Sequence, residues 1–275
     1  MSGTKIIMKF AKKNSLRDNA AGRQSHRILS QILTPSTQAF FEKVHFKKGM
    51  MGLDLGCRNG DNTLKLKAMI GEEGKMIGLD SNKIHIKIAK EKAIQNNEYN
   101  IEYRHQNILE WKESNTYDFV YSRLFFNQIR KPLSVLQQVY NSLQIGGFAM
   151  VEDMDFSQFY CFPNCFAFDR FVELFLEIKK LQHTDANIGK HLYPIFKESG
   201  FKNIHLQSVS PNFLTGKNKR IASLTLENIA TILIDEKLTT PTEIQALLFE
   251  LKAFEKRKNT LIALPGIYQV WGFRF

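Results

Sequence analysis

No stretch of this 275-residue chain approaches 18 consecutive apolar residues, so no segment reads as a membrane-spanning helix. Met1 to Phe10 is too polar and too dotted with lysine for a signal-peptide core. Cysteine is scarce: Cys57, Cys161 and Cys165 are odd in number and match no common zinc spacing. This argues against a disulfide framework and predicts reduced thiols in a cytoplasmic setting with no metal. Internal repeats and low-complexity tracts are also missing. Acidic residues are few at the start, where residues 1–50 hold ten Lys/Arg against two Asp/Glu. The net charge of +11 is therefore largely an N-terminal property centred on Lys5 to Arg27. Such a run attracts anionic partners or simply solvates an arm, and no nucleic-acid module accompanies it.

What is present is a hydrophobic content of 43%, enough for a substantial core, and an alternation of strand and helix patterns from about 50 to 153. That alternation predicts an α/β fold, a doubly wound parallel sheet with helices on both faces. Its first turn carries the chemistry. Met51-Gly-Leu-Asp-Leu-Gly-Cys-Arg-Asn-Gly-Asp-Asn-Thr63 reads as a buried strand, a tight glycine turn and a helix. Gly56 supplies the positive φ, and Gly60 permits close packing of the first helical turn. Asp61 in that turn is favoured by the helix dipole but would repel a pyrophosphate. Counted from Gly56, G-x-G-x-x-G also finds Arg58 and Asp61 where glycines belong. A dinucleotide is disfavoured on both counts.

Lys75-Met-Ile-Gly-Leu-Asp80 is the next strand, and its terminal carboxylate suits ribose hydroxyls. Asp80-Ser81 is equally a candidate cap for a helix over Ile84 to Ala93. Ligands in such sheets bind outside the carboxyl ends of the strands, here Gly56, Asp80, Asn107 and Ser122. A fourth strand follows at Tyr117 to Leu124, a helix at Lys131 to Leu143, and a strand from Phe148 to Val151 running into Glu152-Asp153.

This order resembles the class I S-adenosylmethionine-dependent methyltransferases, and within them the broad small-molecule branch. Ser122-Arg-Leu-Phe-Phe-Asn-Gln-Ile-Arg-Lys-Pro132 stands where that branch has "aRfvLhHl-dP". Ala186-Asn-Ile-Gly-Lys-His-Leu-Tyr193 is similar to its "iGrrLp" helix, and Gln269-Val-Trp-Gly272 to its last strand. The resemblance implies a Rossmann-like seven-stranded sheet of order 3-2-1-4-5-7-6 with helical cap additions, and S-adenosyl-L-methionine as cofactor with S-adenosyl-L-homocysteine as product. It places Asp54, Gly56, Cys57, Arg58 and Gly60 in the cofactor turn, Asp80 and Ser81 at the ribose, Asn107 and Ile108 at the adenine, and Ser122 and Arg123 beside them. Arg58 departs from the usual second glycine, and Asn127 from the usual histidine after the fourth strand.

Three segments are expected: 1–48 as a basic N-terminal arm with cap helices, 49–153 as the cofactor-binding core, and 154–275 as a helical lid and insertions plus the last two strands of the same sheet. Two helices are predicted before the first strand, broken at Thr34-Pro35-Ser-Thr37. Phe168, Phe171 and Phe175 share helical spacing, which means core or an aromatic lid over an apolar pocket. A sulfonium supplies its own reactivity, so orientation alone contributes about 7 to 11 kcal/mol, and no dyad is needed. An oxygen nucleophile gains a further ~10²- to 10⁴-fold from a general base, for which His191 and His183 are the candidates, with Glu152 and Asp153 able to orient substrate. The expected activity is methyl transfer to a small, apolar or aromatic acceptor. The alternatives are a catalytically silent cofactor-binding scaffold and a nucleic-acid or protein methyltransferase that uses the basic arm.

Overall fold

The computed structural model describes residues 19–275, so the arm up to residue 18 and any role for it lie outside the described residues. The described helices are α1 (Ala20–Phe41), α2 (Asp61–Ile70), α3 (Lys83–Gln95), α4 (Pro132–Ser142), α5 (Phe166–Leu181), α6 (Ile188–Glu198), α7 (Ile221–Asp235) and α8 (Pro241–Lys256). The chain forms two compact units. One holds residues 19–39, Phe156–His183 and Ser210–Pro265; the other holds Phe40–Asp155, Thr184–Val209 and Gly266–Phe275.

The second unit is built on a seven-stranded sheet. Its strands are β1 (Met51–Leu55), β2 (Lys75–Asp80), β3 (Ile101–His105), β4 (Tyr117–Arg123), β5 (Leu143–Asp155), β6 (Lys202–Val209) and β7 (Gly266–Phe273). They lie in the order β3-β2-β1-β4-β5-β7-β6, the expected 3-2-1-4-5-7-6. β1 to β5 run parallel, and β7 is antiparallel to both neighbours. Side chains alternate between two apolar layers. Leu53, Leu55, Ile77, Leu79, Val120 and Val151 face one; Met76, Phe119, Tyr121, Phe148 and Met150 face the other with Phe40, Phe41 and Leu66. Gly52 sits beneath the Phe119 ring, where an added Cβ would come within 2.1 Å of it. Gly189 lets α6 lie directly on β5, because a Cβ there would meet the Asp153 carbonyl oxygen at 2.7 Å.

The other unit packs α5, α7 and α8 with three short strands, Tyr160–Phe162, Asn212–Phe213 and Leu261–Ala263, the last in the middle. Its core is the aromatic run. Phe156 stacks on Phe175 with ring centroids 4.0 Å apart, Phe159 meets Phe168 edge-on at 4.7 Å, and Phe171 is fully buried. The helical spacing of phenylalanines therefore reports core packing.

Two local expectations are corrected. The predicted break at Pro35 is absent, and α1 runs through it. Thr34 Oγ1 donates to the Ser30 carbonyl at 2.8 Å and Ser36 Oγ to the Leu33 carbonyl at 3.0 Å, giving carbonyls beside the proline side-chain partners. The cap of α3 is Asn82, not Asp80-Ser81: its Oδ1 accepts from the Ile84 and His85 amides.

Candidate active site

The turn after β1 folds as its glycines require. Gly56 and Gly60 both have φ 76°, and Arg58 takes φ 48°. A Cβ on Gly56 would meet the Phe125 ring at 2.6 Å and one on Gly60 the Tyr103 hydroxyl at 2.3 Å, so both positions exclude any side chain. Arg58 keeps the left-handed conformation of the glycine it replaces, at a cost of about 1 to 2 kcal/mol. The turn is bonded to the end of β2. The Gly56 and Cys57 amides donate to the Leu79 carbonyl at 2.8 and 3.1 Å, and the Arg58 amide donates to Asp80 Oδ2 at 3.0 Å. Asp61 pairs with Lys92.

Asp80 is thus held against the turn. Its Oδ1 accepts from the Asn82 amide at 2.8 Å and lies 3.5 Å from the buried His85 Nδ1. Burial works against its charge, but the bonds from His85, Asn82 and Arg58 outweigh this and hold the carboxyl below its ordinary value. Asp54, at the end of β1, behaves oppositely. Burial pushes its carboxyl up to about 7, against the 2.6 Å bond from Thr63 Oγ1 and the charge of Arg123. In the same turn, the buried Asn59 Oδ1 has no hydrogen-bond partner. A cofactor carrying an ammonium group and ribose hydroxyls fits this set, since it brings donors to acceptors whose isolation costs about 1 to 3 kcal/mol. Burial raises the Cys57 thiol well above its usual range, which makes it an inert wall of the turn.

Beside the turn runs a polar row that the sequence did not reveal. Arg123, Glu152, Gln269 and Gln207 are successive register partners across β4, β5, β7 and β6. Glu152 accepts from Gln269 Nε2 at 2.7 Å and from the Tyr121 hydroxyl; Gln269 Oε1 accepts from Gln207 Nε2 at 2.7 Å. Asn62, its amide oxygen turned toward the guanidinium, accepts from Nε and Nη2 of Arg123 at 3.2 Å. Lys65 of α2 is held below its usual value by burial and then by the charge of Arg123. In sequence these residues sit on four strands and a helix with no common spacing; only the strand register aligns them.

The remaining expected residues bond elsewhere, are buried or are exposed. The Ser122 hydroxyl donates to the Leu55 carbonyl, a bond between strands. Ser81 is exposed. Asn107 Oδ1 accepts from the Leu109 amide and so shapes its own turn, while Ile108 is buried in an apolar layer of the sheet. His191 is exposed and pairs with Asp185 at 2.7 Å. His183, in the other unit, is an exposed left-handed residue just beyond α5. Asp153 is buried and accepts from the Asn127 amide at 3.1 Å and Nδ2 at 2.8 Å, so Asn127 fixes the chain after β4.

A methyltransferase-domain family matches residues 46–200, more than half of the chain and all of the turn, Asp80 and the polar row up to Glu152. The chain belongs to the class I S-adenosylmethionine-dependent methyltransferases. This methyltransferase is 24% identical over 217 residues to demethylmenaquinone methyltransferase of Staphylococcus aureus, covering 74% of the chain and 86% of the relative. Its fold is shared with a protein of Bacillus halodurans C-125 provisionally described as a methyltransferase, with a TM-score of 0.60, 16% identity and 86% and 98% of the two chains covered. It is shared also with phosphoethanolamine N-methyltransferase 2 of Haemonchus contortus bound to phosphomonomethylethanolamine and S-adenosylhomocysteine, with a TM-score of 0.54, 17% identity and 92% and 53% covered. The methyltransferase uses S-adenosylmethionine. No helix among the described residues is long and apolar enough to cross a membrane.

Proposed function

We propose that this methyltransferase methylates a small apolar or aromatic acceptor, at a site beside the Gly56 turn. The observation that carries the cofactor half is the bond from the Arg58 amide to Asp80 Oδ2, which closes the turn on a carboxylate. The acceptor half is supported by the likeness to a demethylmenaquinone methyltransferase, a name that denotes a quinone-ring acceptor.

In this reading Asp80 accepts the ribose hydroxyls, and Asp54 and Asn59 accept from the amino-acid end of the cofactor. The bound cofactor supplies the electrophilic methyl group. Gly56 and Gly60 keep the backbone within reach, and the Phe125 ring, packed against Gly56, forms an apolar wall. Arg123, fixed by Asn62 and set beside Glu152, supplies positive charge to an acceptor oxygen that has given its proton to bulk water. Alignment carries most of the rate.

The test is methyl transfer from radiolabelled S-adenosylmethionine to a panel of quinols and phenols, run beside RNA and peptides. Label in the organic phase supports the reading; a protein that binds cofactor but labels only the macromolecules overturns it.

A further inference from the structure

In the smaller unit, the edge strand Tyr160–Phe162 turns its middle residue inward and its two aromatics outward. Tyr160 is opposite Ala263 and Phe162 opposite Leu261, and directly opposed residues share a face. Cys161 and Ile262, which alternate with them, are buried. The outward face carries the aromatics: Tyr160 is 52% exposed and Phe162 66%. Phe166, opening α5, is 72% exposed, and Phe249 of α8 is 80% exposed. A contact of 3.5 Å between Cys165 Sγ and Glu250 Oε1 ties the start of α5 to the middle of α8, so the sequence neighbours of both phenylalanines touch. Single exposed apolar residues are ordinary, whereas two aromatics on one strand face, with two more exposed on a pair of touching helices, mark an interaction surface.

Its charge indicates the partner. Lys256, Arg257 and Lys258 are consecutive and exposed where α8 runs into the strand that carries Leu261. Of the carboxylates on α5 and α8, Glu243 and Glu173 pair with Arg170 at 2.8 and 3.2 Å, while Glu250 takes a thiol contact from Cys165 and the exposed Asp169 acts on Cys161, two charges against the three of the basic run. A second copy docked through the same patch would bring two basic runs together, which like-charge repulsion disfavours. Phenylalanine and tyrosine beside lysine and arginine is instead the combination that seats a protein on an anionic bilayer, with rings at headgroup depth and cations on the lipid phosphates.

We propose that this aromatic and basic face docks the methyltransferase on an anionic lipid bilayer. The attachment is peripheral. It stands apart from the acceptor reading, because it rests on surface residues distant in sequence from the Gly56 turn.

The experiment is co-sedimentation of the full chain with vesicles of phosphatidylcholine alone and of phosphatidylcholine mixed with phosphatidylglycerol. Binding is expected to the mixed vesicles only, with release by salt. Replacing the three basic residues together (Lys256→Ala, Arg257→Ala, Lys258→Ala) lowers partitioning about a hundredfold. The pair Phe162→Ser and Phe249→Ser also lowers it. All five side chains are exposed, so melting temperature and S-adenosylmethionine affinity stay unchanged and report intact folding. No binding to the mixed vesicles, equal binding to neutral ones, or variants that bind like the parent overturn the proposal. So does a dimer that Phe249→Ser dissociates, or single-stranded RNA held through the same residues.

Discussion

At the scale of single residues, two carboxylates near the ends of adjacent strands β1 and β2 carry opposite shifts, and the cause is what surrounds each one. Asp80 is encircled by donors and stays charged; Asp54 has one hydroxyl and a deep burial, and its carboxyl rises to about 7. Replacing Asp80 by alanine removes the ribose acceptor and is expected to weaken S-adenosylmethionine binding roughly tenfold to a hundredfold by calorimetry, the range of a hydrogen bond to a charged group. Unchanged affinity would place the ribose elsewhere. For Asp54 the sign runs through its raised value. Between the unfolded carboxyl near 3.8 and the folded one near 7, the folded protein holds a proton that the unfolded chain has released, so stability without cofactor falls as pH rises across that window. A cationic ligand favours the charged form, so cofactor affinity is expected to rise from pH 6 to pH 8. Asp54→Asn should flatten both slopes, in melts for the first and in calorimetry for the second. Asp80 was legible in the sequence as a strand-end carboxylate, and Asp54 entered through the family resemblance. Their opposite shifts were not legible, because burial and bonding come from β2, α2 and β4 together. Asn59 and Arg123's clasp by Asn62 were hidden for the same reason.

At the scale of elements, the strands and helices of the sheet unit followed from apolar runs and glycine punctuation, and the expected seven-strand order is the observed one. The errors came where side chains compensate a local rule. Pro35 should stop a helix, but Thr34 and Ser36 donate to nearby carbonyls and α1 continues. The cap moved from Asp80-Ser81 to Asn82 because Asp80 is already committed to the turn. Close packing of elements yields the next expectation. Gly52→Ala drives a methyl into the Phe119 ring, an overpacking of about 1 to 3 kcal/mol that denaturant titration should record. Gly189→Ala, which pushes α6 off the β5 backbone, should do the same; a neutral effect would mean that the helix can slide.

At the scale of the whole molecule, the chain passes from one unit to the other several times, so neither unit is a continuous stretch of sequence. Saturating S-adenosylmethionine, at about a hundred times its dissociation constant, is expected to add about 2.7 kcal/mol to stability by mass action. Hydrogen exchange should slow chiefly at the Gly56 turn and β2, and Asp80→Ala should lose both effects. Protection spread evenly over α5, α7 and α8 would contradict a cofactor held by the turn. The sequence by itself determined the strand–helix alternation, the glycine turn and Asp80, since each rests on local periodicity, backbone freedom or one residue at a strand end, while the seven-strand order came through the family resemblance. Tertiary structure alone decided that the phenylalanine run is core, that Arg123, Glu152, Gln269 and Gln207 form one row, and that Phe162 and Phe249 are exposed. Those facts depend on strand register and helix packing between residues far apart along the chain, which no local pattern encodes.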